Sequence, residues 1–99
     1  MSPLEKELEN ALMELYEKWK GFMRPKNRFL QMLRREGPVG TVKHLLTGAP
    51  SSGFDDLVKA KQLLLTVEWL VLHPKWLPLF TDGELDVARK RVRNALTSS

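Results

Sequence analysis

Apolar residues recur at three- and four-residue steps along most of this chain, a period that predicts helices rather than strands. Leu4, Leu8, Ala11, Leu12, Leu15 and Trp19 form the first stripe, continued by Phe22 and Met23. Ser2 and Glu5 stand at capping-box spacing, and Pro3 occupies a first-turn position that a helix tolerates. Arg24-Pro25 ends the segment, because a residue before proline avoids the α region. The pattern therefore predicts a helix over residues 3–22.

Pro25 can open a second helix, with Phe29, Leu30 and Leu33 on its apolar side and Gly37-Pro38 as its stop. A third helix fits Val39–Leu46, turning Val39, Val42, Leu45 and Leu46 inward. The loop from Gly48 to Gly53 is too short for a domain linker. Helical segments over Phe54–Lys61, with Ser52 as cap, and over Thr66–Leu72, capped by Thr66, are expected next. The β-branched content of Val67–Leu72 could suit a strand, but no second strand exists to pair with it. A short turn or helical piece runs from His73-Pro74 through Trp76, Leu77 and Phe80. Thr81 and Glu84 repeat the capping-box spacing before a last helix that buries Leu85, Ala88, Val92, Ala95 and Leu96. The expected fold class is all-α: an irregular bundle of five to six short helices forming a single domain over residues 1–99.

Charge adds what periodicity does not. The net charge is +4, but residues 1–17 carry −4, residues 18–43 carry +7, residues 44–88 carry −3 and residues 89–99 carry +4. Two basic segments thus alternate with acidic ones, as a surface meant for a polyanion would require. On the second helix, Asn27, Arg28, Gln31, Arg34 and Arg35 fall opposite Phe29, Leu30 and Leu33, and Arg24 approaches on the same side. Guanidinium forks suit phosphates and guanine edges, and Asn and Gln amides suit adenine edges. Lys43 and a flank of the last helix carrying Arg89, Lys90 and Arg93 are candidates to extend that surface, while Arg91 points elsewhere. Aromatics and cations interleave from Lys18 to Lys26, an arrangement open to base stacking, although Trp19 and Phe22 fit the first helix's core stripe better. A helix–turn–helix across Gly37-Pro38 is disfavoured, because the polar face belongs to the helix before the turn rather than after it.

Chemistry beyond binding finds few residues. The chain has no cysteine, so disulfides, thiolate nucleophiles and Cys-ligated zinc are excluded. His44 and His73 lack carboxylates at metal-ligand spacing. Glu68 sits inside an apolar helix and reads as a partly exposed or paired structural carboxylate, without a second acid for proton transfer. No enzyme activity, cofactor or metal is expected. Membrane insertion is not expected either, since the apolar run Leu63–Leu72 contains Thr66 and Glu68 and is well under the ~20 residues of a span. The opening Met1-Ser2-Pro3 turns acidic at once, unlike a signal peptide, so a cytoplasmic location is the expectation. The alternative partner is protein. Trp69, Trp76 and Phe80 make the C-terminal half apolar enough to leave a patch for a foreign partner or a homodimer.

Across roughly residues 25–96, Arg28-Phe29-Leu30-Gln31-Met32, Gly37–Leu46, Gly53-Phe54, Leu65-Thr66-Val67-Glu68, Trp76, Leu79-Phe80-Thr81 and Ala88-Arg89-Lys90-Arg91 together resemble a family of small bacterial all-helical proteins with no assigned activity. The resemblance implies a bacterial or phage-related cytosolic protein and carries no catalytic residues over.

Overall fold

In the computed structural model, which describes residues 2–24 and 27–97, the chain folds as α1 (Pro3–Trp19), α2 (Asn27–Leu45), α3 (Ser52–Lys59), α4 (Val67–Val71) and α5 (Asp82–Thr97). Two 3-10 segments, Leu63–Leu65 and Pro74–Leu79, flank α4, and no described residue is in a strand. The expected all-α bundle is what forms. No described helix is long and apolar enough to cross a membrane.

Side-chain caps set most of the boundaries. Ser2 Oγ accepts from the Glu5 amide at 3.1 Å, though its hydroxyl, not its amide, is what meets the Glu5 carboxylate. Thr66 Oγ1 accepts from the Trp69 amide at 3.1 Å to open α4. The capping box of α5 is complete in both directions: the Glu84 amide donates to Thr81 Oγ1, and the Thr81 amide donates to Glu84 Oε1. At α3 the cap is Ser51 rather than the expected Ser52. α1 ends at Trp19, three residues early, because the amides of Gly21 and Phe22 turn back three residues to Lys18 and Trp19 and tighten the chain. The expectation that Pro25 opens α2 lies outside the described residues.

The expected second and third helices are one element bent at a single residue. Gly37 adopts φ 76° and ψ 175°, Pro38 starts the second arm with its ring buried, and Thr41 Oγ1 donates to the Gly37 carbonyl at 2.7 Å. A one-residue break is not the three- or four-residue turn of a helix–turn–helix. Only glycine is at ease in that backbone region, and an added Cβ would meet no atom within 4 Å. Gly37→Ala is therefore expected to lower stability by about 1–3 kcal/mol through backbone strain alone. Thermal denaturation followed by circular dichroism measures this, and a melting temperature unchanged within a degree would contradict the strained bend.

α1 packs on α2, α4 packs on α5, and the two 3-10 segments close over α1. Leu8, Leu12, Leu15, Tyr16 and Trp19 supply one wall of the core; Phe29, Leu33, Val42, Val67, Val71, Leu85 and Ala88 supply others. The Cα radius of gyration, 12.7 Å, is that of a single domain of this length.

Candidate polyanion face and the cleft beside it

Residues 27–36 form the first arm of α2, and its register against α1 decides where the arginines go. Phe29 and Leu33 are buried, with the Phe29 ring stacked 6.1 Å from Tyr16 and edge-on to Trp19 at 4.9 Å. That side of the arm is sealed. Asn27, Arg28, Gln31, Arg34 and Arg35 fall within an arc of about 120° on the other side, and all five are exposed, as is Arg24. Among the described residues no carboxylate forms an ion pair with Arg24, Arg28, Arg34 or Arg35. Three of the five acids of α1 pair with lysines instead: Glu7 with Lys75, Glu9 with Lys6 and Glu17 with Lys20.

The other predicted cations are placed differently. Lys43 is half-exposed and lies 3.5 Å from Glu84 Oε1, so its charge is partly met within the fold. Glu84 and Arg91, seven residues apart, share the side of α5 that faces the end of α2. Arg89, Lys90 and Arg93 are exposed on the other side of the helix, and Lys90 pairs with Asp86 at 3.1 Å. The last helix's basic flank is therefore not joined to the α2 face through this contact. The sequence left that question open, because relative helix orientation is a tertiary property.

Trp76 and Phe80 are core residues, at 5% and 8% exposure, so neither offers an exposed ring to a partner. They are drawn in because the 3-10 segment they frame lies across α1. Trp69 keeps 41% of its surface and lines a groove of about 620 Å³ with Leu70, Leu72, His73, Lys75 and Trp76. Trp19 is buried, as its place on the α1 stripe implied, whereas Phe22 beyond the helix end is half-exposed.

Beneath the end of α2 lies a charged pair that neither residue announced alone. Arg91 Nη1 donates to Glu68 Oε2 at 2.9 Å, with side-chain exposures of 7% and 5%. The same guanidinium donates to the Leu45 carbonyl and to the Gly48 carbonyl, both at 2.8 Å. It thus caps the C-terminal end of α2 and holds the following loop. Burial pushes the Glu68 carboxyl above its ordinary range, against the pull of its own amide and of Arg91.

Glu84 shows the opposite behaviour. Partial burial opposes its ionisation, but the Thr81 amide and hydroxyl and the Lys43 ammonium outweigh it and hold the carboxyl below the ordinary range. A depressed folded-state pKa contributes stability that is present above the unfolded value, about 4.3, and is lost as pH falls through the folded one. Glu84→Gln is expected to flatten the acid limb of stability below about pH 4.5, and Thr81→Ala to cost about 1 kcal/mol at neutral pH. Urea midpoints measured from pH 3 to 7 test both; parallel wild-type and Glu84→Gln profiles would contradict the assignment.

Compared with known protein families, curated proteins and solved structures, the chain matches none. The resemblance to bacterial helical proteins rests on the sequence motifs alone. No three His, Asp or Glu side chains converge as a metal-holding group among the described residues.

A second concavity adjoins the basic face. A cleft of about 510 Å³ opens between the end of α1, both arms of α2, the loop before α3, α3 itself and the start of α4. Trp19, Phe29, Phe54, Met23 and Met32 contribute apolar lining, and Arg28 is part of its wall. Sequence reasoning missed this site, since its walls come from separate segments; it had marked Arg28 as a phosphate contact and Trp19 within a stretch open to base stacking, but could not bring the two together.

Proposed function

We propose that this chain is a non-enzymatic nucleic-acid-binding accessory domain of the bacterial cytoplasm, using the exposed side of the first arm of α2. Arg24, Arg28, Arg34 and Arg35 contact phosphates, and Asn27 and Gln31 approach sugar or base. The observation that supports this reading is the coincidence of exposure and missing counter-charge: Arg28, Arg34 and Arg35 on an arm whose opposite side is buried, and Arg24 in the chain before it, stand in solvent with no ion pair among the described residues. Planar, always charged donors in that condition suit backbone phosphates. Four phosphate contacts predict an affinity loss of about a hundredfold between roughly 50 and 200 mM salt. A mobility-shift titration at the two salt concentrations tests this, with Arg28→Glu/Arg35→Glu expected to abolish the shift. Absence of binding at low salt, or binding unaltered in the double variant, overturns the reading.

The exposed Trp69 on its apolar groove supports a second reading, a protein partner or homodimer at that surface. Light scattering tests the homodimer: a dimer dispersed by Trp69→Ala supports it, and a strict monomer at high concentration removes it.

A further inference from the structure

The cleft beside Arg28 has the size of a small-ligand site, about 510 Å³ against the ~300–1,000 Å³ common for such sites. Two features narrow its occupant. The first is continuity with the basic face, because Arg28 belongs both to the exposed arc of α2 and to the cleft wall. A phosphate held there would leave the group attached to it at the cleft mouth. The second is the chemistry of the walls. Trp19 and Phe29 are fixed edge-to-face at 4.9 Å, with the Trp19 indole N–H donating to the Leu65 carbonyl at 2.7 Å; both are buried and show the cleft only a narrow strip of ring, so they make its rigid apolar floor. Met23 and Met32 line the cleft with flexible thioethers that adapt to planar groups of different outline.

The polar groups lining the cleft are largely spent on the fold. Ser51 Oγ accepts from the Phe54 amide, Thr66 Oγ1 accepts from the Trp69 amide and donates to the Leu63 carbonyl, and Glu68 is paired with Arg91. His44 Nδ1 lies 3.7 Å from Glu36. Such a cleft accepts a flat apolar group by shape and dispersion and does not read its hydrogen-bonding edge.

We propose that the cleft seats one unstacked base of a single-stranded nucleic acid, with the adjoining phosphate on Arg28 and without selection for base identity. This rests on the polyanion reading above and deepens it, since a base inside a duplex cannot leave its stack without an added energetic penalty, whereas a base in a single strand is nearly free to do so.

Fluorescence anisotropy separates the two levels. Three labelled probes of equal length are compared at low salt: oligothymidylate, the same backbone carrying abasic sugars, and a blunt duplex. Oligothymidylate is expected to bind about tenfold or more tightly than the abasic strand, the contribution of roughly one seated base. Oligodeoxycytidylate is expected to match oligothymidylate within about threefold, because stacking tolerates any base. Met32→Trp, which fills the cleft, is expected to bring oligothymidylate down to the abasic level while leaving the abasic strand unchanged. Equal binding of oligothymidylate and the abasic strand overturns the proposal and leaves the polyanion reading standing. Tighter binding of the duplex than of oligothymidylate, or a preference for bases that survives Met32→Trp in a folded variant, also overturns it. No binding of any probe at low salt overturns both. The abasic comparison needs no altered protein, so a poorly folded variant does not shield the proposal.

Discussion

Arg91→Ala is expected to remove about 3–5 kcal/mol of stability at neutral pH, the loss that follows when one partner of a buried ion pair is deleted. Three acceptors lose their donor together: the Glu68 carboxylate, the Leu45 carbonyl at the end of α2 and the Gly48 carbonyl in the loop beyond it. Domains of this size carry about 5–15 kcal/mol in total, so the variant should be close to the limit of folding at physiological temperature. The pH dependence distinguishes this mechanism from simple loss of packing. Without Arg91 the folded-state pKa of Glu68 rises further, because burial is then opposed only by the residue's own amide. A raised folded-state pKa gives stability that is full below the unfolded value, about 4.3, and is lost as pH rises through the folded one. The deficit of Arg91→Ala against wild type should therefore shrink on acidification toward pH 4. Replacing both partners with apolar groups, Glu68→Leu with Arg91→Met, should recover much of the loss. Urea denaturation of wild type and the two variants at pH 4 and pH 7 tests this. A deficit independent of pH, with no recovery in the double variant, contradicts it.

Trp19→Ala is expected to cost about 3–5 kcal/mol as well, for a different reason. Its ring closes the junction of α1, α2 and the first 3-10 segment, edge-on to both Tyr16 and Phe29, and its N–H satisfies the Leu65 carbonyl. Removing it opens a cavity in a close-packed aromatic cluster and leaves a carbonyl without its donor. Trp19→Phe separates the two effects. It keeps most of the apolar contact and loses the hydrogen bond, for about 1–3 kcal/mol. If the two variants lost equal stability, the cavity account would fail. Because Phe29 anchors the arm that presents the arginines, Trp19→Ala should also weaken the proposed nucleic-acid binding more than its distance from the basic arc suggests.

What local pattern controls was readable in advance. Thr66 and the Thr81–Glu84 pair cap the helices they were expected to cap, because a cap is settled by side chains within three residues. The Gly37-Pro38 break was legible for the same reason, although the sequence suggested two helices where the chain bends at one residue. The exposed arc of α2 followed from the positions of Phe29 and Leu33. Long-range pairing was not legible. Glu68 read as a paired or half-exposed carboxylate and Arg91 as an outlier on its helix. Their meeting across 23 residues depends on how α4 packs against α5. Trp69, Trp76 and Phe80 are equally apolar in sequence, yet only Trp69 remains exposed, since burial depends on which element lies opposite. The basic flank of α5 was recognisable as a flank but not by the direction it faces.

In the proposed function, the uncompensated arginines on and just before the first arm of α2 meet phosphates. Its most direct test is the slope of log affinity against log salt for a single strand, measured for wild type and for Arg28→Glu/Arg35→Glu. Four phosphate contacts at about −0.7 each for single strands predict a wild-type slope near −3, falling to about half that or to no binding in the double variant. A slope near zero, or one identical in the two proteins, would contradict the account.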